Sequence, residues 1–309
     1  MTTSSIRRRS ALSLLVSLSV ITAACAQTPA ASTFEPRHGQ AGKDVIWIPT
    51  PDSVVDRMLQ MAEVKATDRV VDLGSGDGKI AIAAGKSYGA RARGLEYNPN
   101  MVELSIRRAR EAGVADKVSF EQADIFVSDF STATVVTMYL LPELNLRLRP
   151  ILFRMPPGTR VVSHSFTMGD WKPDEVSRSG GEAFLWRIPA NAGGSWRFTA
   201  SGLSNLPQTL NFTQTFQNLE GEAGFGTLTA SLVRPHLSGD ALTFQVRDST
   251  GGMLRFAGRV AGDRITGTVA RDGQTPVSFE AVRTSGAPPS IIGVVADKQE
   301  KGSGSNSPA

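Results

Sequence analysis

The chain has 309 residues, with 33 Lys and Arg against 29 Asp and Glu, for a formal net charge of +4. One cysteine and three histidines exclude a disulfide framework and a histidine-rich metal centre, so no metal site is expected. Three of the arginines stand together at positions 7–9, in a segment without acids, and without residues 1–26 the net charge falls from +4 to +1. The alkaline character of the whole chain therefore gives no reason to expect a nucleic-acid partner.

Arg7-Arg8-Arg9 is followed by an apolar run from Ala11 to Ala24, too short to span a bilayer comfortably, and then by the small residues Ala24-Cys25-Ala26. Charged start, apolar middle and small-residue end predict a secretory signal peptide over residues 1–26 and export to the periplasm or cell envelope. The alternative is a membrane-associated chain that keeps its leader. Cleavage would remove the sole cysteine, leaving nothing to form a disulfide.

Further along, Thr50 suits a helix N-cap, Pro51 the first helical position and Asp52 the positive end of the helix dipole. Val54, Val55, Met58, Leu59 and Met61 then form one apolar stripe on a helix over 53–64. Trp47 either staples that helix or faces a ligand. Val70 and Val71 end a buried strand, and Asp72-Leu73-Gly74-Ser75-Gly76-Asp77-Gly78 turns sharply into a helix from Lys79. Strand, glycine turn and helix together make a nucleotide-site geometry. The dinucleotide fingerprint would need a glycine where Lys79 stands, so that ligand is disfavoured.

A second strand, 90–96, ends in Glu96, at about the distance where an acid takes ribose hydroxyls. Asn98 and Pro99 open a helix that stops at Gly113; a third strand, 118–124, ends in Asp124. Strands over 133–139 and 159–163 complete an alternation that predicts a doubly wound α/β fold with a mostly parallel sheet. Ligands in such sheets bind outside the carboxyl ends of the strands, where the loops at 47–51, 139–145 and 163–166 can line a crevice. His164 reads as a satisfied polar residue there. Residues 183–188 suit a closing hairpin. From Gly194 the pattern alternates: Leu210, Phe212 and Phe216 recur in one run, and Leu242, Phe244 and Val246 in another. Gly239-Asp240 and Gly262-Asp263 each feed a strand. The expected organisation is a leader over 1–26, a doubly wound domain over 27–190, a small antiparallel all-β domain (sandwich or barrel) over 191–284, and a disordered tail over 285–309.

The spacing Asp72-x-Gly74-x-Gly76-x-Gly78 resembles the first motif of class I S-adenosylmethionine methyltransferases. Trp47-Ile48-Pro49-Thr50-Pro51, the glycine loop, Glu96-Tyr97-Asn98-Pro99, residues 160–166 and Trp171 together resemble its small protein-lysine branch. That branch holds archaeal broad-specificity enzymes and mitochondrial enzymes acting on the adenine nucleotide translocase and the ATP synthase c-subunit. The likeness covers roughly residues 45–173; Lys79 stands where those relatives usually carry arginine.

The resemblance implies a seven-stranded Rossmann-like sheet and S-adenosylmethionine held by Asp72, Gly74, Ser75, Gly76, Glu96 and Asp124, with Asp124 beside the adenine amino group. No Asn-Pro-Pro-Tyr string for amide acceptors occurs, so an amine fits best, and the family points to lysine, with a small-molecule amine as the alternative. Deprotonating a lysine of pKa ~10.4 near neutral pH costs about 4 kcal/mol, which a desolvating aromatic pocket lowers. Trp47 and Tyr139 are the candidate walls. A reading from another class is an exported binding protein whose methyltransferase fold no longer turns over. The leader and the added β segment favour it; the intact glycine loop opposes it.

Overall fold

A computed structural model describes residues 1–2, 34–44, 46–284 and 290. Apart from residues 1, 2 and 290, the expected leader and tail lie outside the described residues. The described residues from Glu35 to Thr284 cluster as one compact unit.

Its first part alternates α1 (Asp52–Met61), β1 (Arg69–Leu73), α2 (Lys79–Tyr88), β2 (Arg91–Glu96), α3 (Pro99–Glu111), β3 (Val118–Gln122), β4 (Val135–Met138), α4 (Pro142–Leu152) and β5 (Arg160–His164). A hairpin of β6 (Glu175–Ser177) and β7 (Ala183–Arg187) follows. The seven strands form a mixed sheet in the order β3-β2-β1-β4-β5-β7-β6, parallel from β3 to β5, with β7 antiparallel to β5. Buried strands alternate faces with a period of two. Val70, Val135 and Val162 join the cluster under α1 and α2, while Val71, Val136 and Val161 join the one under Leu144, Leu148 and Leu152 of α4. Both faces of the sheet are thus covered, which is why its central strands are near-continuously apolar.

Local boundaries differ from the sequence reading at three points. Thr50 does not cap α1: Pro51 stands at the N-cap, and its carbonyl accepts from the Val54 and Val55 amides, each at 3.0 Å. The Thr50 hydroxyl instead lies 3.3 Å from Nδ1 of His164, a long-range pairing invisible to a local rule. Strand β3 ends at Gln122, so Asp124 sits in the following turn, where its Oδ1 accepts from the Phe126 amide at 2.9 Å. Tyr139 likewise stands just past β4.

Gly85 lies inside α2, where alanine would ordinarily favour the helix by about 1 kcal/mol. A Cβ there would run into Cγ2 of Val118, a branched side chain fixed in β3. Gly85→Ala is therefore expected to destabilise the chain by about 1–3 kcal/mol in urea denaturation, overpacking outweighing propensity. A stabilised variant would refute this close approach.

The second part is a nine-stranded antiparallel sheet: β8 (Gly194–Ala200), β9 (Thr209–Thr215), β10 (Asn218–Phe225), β11 (Leu228–Ser231), β12 (Val233–Ser238), β13 (Ala241–Arg247), β14 (Met253–Ala261), β15 (Arg264–Arg271) and β16 (Val277–Arg283). The order β11-β10-β9-β8-β16-β15-β14-β13-β12 brings the two edges together. Beyond the hairpin partners, β12 also lies against β10 and β11 against β13, so the sheet is nearly closed on itself. Of the two shapes left open by the pattern, the observed one is barrel-like. Leu210, Phe212, Leu242, Phe244 and Val246 fill its interior. Gly239 and Gly262, with φ of +60° and +58°, make the two echoed turns. Phe216 departs from the reading that grouped it with Leu210 and Phe212. It lies in the β9–β10 turn and packs into the α4 side of the first sheet.

Candidate active site

A crevice of about 240 Å³ opens at the carboxyl ends of β1, β2 and β4. All three loops expected to reach this place contribute to it, through Trp47–Thr50, Tyr139–Leu141 with Leu144, and Phe166. The Gly74–Gly78 loop forms its floor and is held from several directions. The Gly74 and Ser75 amides donate to the Leu95 carbonyl at 2.9 and 3.0 Å. Gly76 donates to Oε2 of Glu96 at 2.9 Å, its carbonyl accepts from Ser105 at 2.9 Å, and Asp77 pairs with Arg108. Gly76 has φ +54°, and a Cβ on it would lie 2.7 Å from Nε1 of Trp47. Glycine is required there both for the backbone and for the indole above it.

Every residue assigned to the cofactor from sequence borders this crevice: Asp72, Gly74, Ser75, Gly76, Glu96 and Asp124. They are in different states. Asp72 is buried; Oδ1 accepts from Thr137 at 2.7 Å, while Oδ2 is buried without a partner. Burial pushes its carboxyl up to about 7, against the opposing hydrogen bond from Thr137. The buried Ser75 hydroxyl is similarly unpartnered. Glu96 ties the loop together, its Oε1 also accepting from the Asn98 amide at 2.9 Å. The Asp124 carboxyl is held below its usual range by Lys43, whose ammonium sits 2.8 Å from Oδ2 and 4.4 Å from the Tyr97 ring centroid.

Trp47 is half-buried against the glycine loop, in a segment pinned by mutual backbone bonds between Gly39, Gln40 and Trp47. Tyr139 packs 4.0 Å from the His164 ring and stacks 6.0 Å from Phe166. His164 is buried beside Thr50, and desolvation lowers its pKa, favouring the neutral ring. The sequence reading missed Lys43, Tyr97 and Lys79. Lys43 meets Asp124 and the Tyr97 ring across distant segments, and Lys79 bonds the Thr50 carbonyl at 3.1 Å and Asp52 at 2.9 Å. A cation just after the glycine loop was the available signal for Lys79.

Strand order, glycine loop and acid-ended strands around one crevice define a class I methyltransferase. Residues 72–175 match the model of the ANTKMT methyltransferase domain family. A protein-lysine N-methyltransferase of Saccharolobus islandicus is 43% identical over 134 residues, which is 43% of this chain and 83% of that protein. The human lysine N-methyltransferase named for the ATP synthase c-subunit is 33% identical over 146 residues, 47% of this chain and 61% of that enzyme. The crystal structure of an RNA methyltransferase from Salinibacter ruber with S-adenosyl-L-homocysteine is 53% identical, covering 46% of this chain and 94% of that one, with a TM-score of 0.45. The chain belongs to the protein-lysine N-methyltransferase family typified by the archaeal relative, and it is an S-adenosylmethionine-dependent N-methyltransferase. The nine-stranded sheet lies beyond the span of the family model.

Proposed function

We propose that this enzyme methylates the side-chain amine of a lysine in a protein. The observation that carries the reading is the composition of the crevice. A buried carboxyl with one unpartnered oxygen, Asp72, stands at one part of it, and the apolar group Tyr139, Leu140, Leu141 and Phe166 lines another. The first fits a cationic cofactor, and the second fits an amine that must lose its proton. When bound, S-adenosylmethionine would supply a methyl group from its sulfonium to the lone pair of a neutral amine, the S–CH3 bond breaking and S-adenosylhomocysteine leaving.

The chain's own residues then have these roles. Asp72 and Ser75 offer unmatched polar atoms to the cofactor, and Gly74 and Gly76 let backbone approach it. Glu96 at the end of β2 and Asp124 in the turn after β3 stand for its ribose and adenine. Trp47 and Tyr139 exclude water around the acceptor. The archaeal and mitochondrial relatives bear lysine N-methyltransferase names, which supports lysine over a small-molecule amine.

Labelled methyl transfer from S-adenosylmethionine into envelope proteins, followed by mass spectrometry for methyl-lysine, tests the reading. Label found on small amines alone would move it to small-molecule methylation. A folded chain that fails to bind S-adenosylmethionine would favour a recruited binding fold.

Glu96→Ala removes the acceptor for both the Gly76 and Asn98 amides. We expect folded protein with S-adenosylmethionine affinity at least about tenfold weaker by calorimetry, the scale of a lost charged hydrogen bond. Unchanged affinity would remove Glu96 from the cofactor site.

The residues at 7–26 support export, and a mature N-terminus at Gln27 is the expected product. Among the described residues no helix is long and apolar enough to cross a membrane. N-terminal sequencing of secreted material would decide between cleavage and a retained leader. The alternating pattern and separate sheet from Gly194 onward support a division near residues 190 and 191.

A further inference from the structure

Phe216 occupies the β9–β10 turn with φ +54°, a left-handed conformation that a bulky aromatic rarely adopts and that hairpin turns usually give to glycine or asparagine. Such a conformation persists where surrounding contacts over-determine it. Its ring leaves the barrel and stacks 6.1 Å from Trp171, 5.9 Å from Phe153, with the Arg149 guanidinium 5.3 Å away. Next to it, Oε1 of Gln217 accepts from the Trp171 indole at 2.8 Å. Its Nε2 donates to the Lys172 carbonyl at 2.8 Å and to Oδ1 of Asp174 at 3.2 Å.

All these partners on the 165–174 side lie in the segment that leaves β5 for β6. That segment starts at Ser165, itself at φ +62°, and presents Phe166 to the crevice, stacked on Tyr139. From the α4 side, Asn145 Nδ2 donates to the carbonyls of Phe166 and Thr167, each at 3.3 Å, and Arg149 to that of Met168 at 3.1 Å. One end of the segment thus belongs to the crevice and the other is clamped by the nine-stranded sheet.

We propose that Phe216 and Gln217 are positioning residues for the methyl acceptor: through residues 167–174 they set the place of Phe166 over Tyr139. The added sheet then serves the acceptor part of the crevice and leaves the glycine loop alone. This rests on reading the crevice as the site of methyl transfer to lysine.

The test uses the full chain with Phe216→Ala, the milder Gln217→Ala, and Phe216→Leu, which keeps apolar bulk. Hydrogen exchange should quicken at residues 165–174 in both alanine variants, while residues 74–79 and the barrel strands keep wild-type protection. S-adenosylmethionine affinity by calorimetry should stay within about twofold, and KM for polylysine should rise about fivefold or more with kcat nearly unchanged. Phe216→Leu should recover most of the KM. Exchange that quickens everywhere, or nowhere, overturns the proposal, as does a parallel loss of cofactor affinity. If the wild-type chain fails to methylate polylysine and every lysine-bearing extract, the lysine reading falls. The exchange pattern then still decides whether the turn controls this segment.

Discussion

Asp72→Asn is expected to weaken S-adenosylmethionine binding by about 10–100-fold while making the cofactor-free chain more stable at neutral pH. Asparagine can still accept from Thr137 with its carbonyl oxygen, so the local hydrogen bond survives. What disappears is a buried carboxylate with an unpartnered oxygen, a liability in the empty protein and a counter-charge for a cationic cofactor. The pH dependence follows from a folded pKa of about 7, raised by burial above its unfolded value. Between roughly pH 4 and 7 the folded state holds a proton that the unfolded state has lost. Stability of the empty chain then falls by about 1.4 kcal/mol per pH unit, on the order of 4 kcal/mol in all. Below pH 4 the penalty is absent, and above 7 it is complete. Cofactor affinity runs the opposite way, rising with pH up to about 7 as the carboxyl ionises. Calorimetric titrations with S-adenosylmethionine and urea denaturation of the empty chain, both at pH 5.5 to 8, check the two slopes; a flat affinity profile would exclude Asp72 as the counter-charge.

Trp171→Ala is expected to cost about 3–5 kcal/mol in chemical denaturation, the range for removing a fully buried large aromatic. The side chain is 0% exposed, packed against Trp186, Phe153 and Phe216, and its backbone carbonyl accepts the Trp186 indole at 3.0 Å. Loss of its own indole would leave Oε1 of Gln217 without that donor. Because the residue joins the hairpin side of the first sheet to a turn of the second, the loss should appear in probes of both sheets. A cost below about 1 kcal/mol would show that the site collapses around the gap.

Much of the catalytic half was legible because its signals are local. Val70 and Val71 before a glycine loop, Glu96 and Asp124 after successive strands, and Asn98-Pro99 before α3 are patterns of a few adjacent residues. Asn98 does cap α3, its side chain accepting from the Asn100 amide at 3.0 Å. Thr50 shows the limit of that approach, since a sound N-cap candidate found a better partner in His164, more than a hundred residues away. Lys43 was invisible for the same reason. Its meaning lies in Asp124 and Tyr97, which the chain brings to it only after three strands have paired.

By itself, the sequence determined the strand–helix alternation of the first sheet, the glycine loop and three of the acids that border the crevice, Asp72, Glu96 and Asp124. These follow from residue periodicity and backbone freedom, which act over one or two turns of chain. Tertiary structure alone decided that the nine-stranded sheet nearly closes on itself. It also decided that Asp72 is buried with an unpartnered oxygen, and that Phe216 turns outward to grip Trp171. Burial, desolvation and long-range packing depend on what the rest of the chain places around a residue, and no local pattern encodes that.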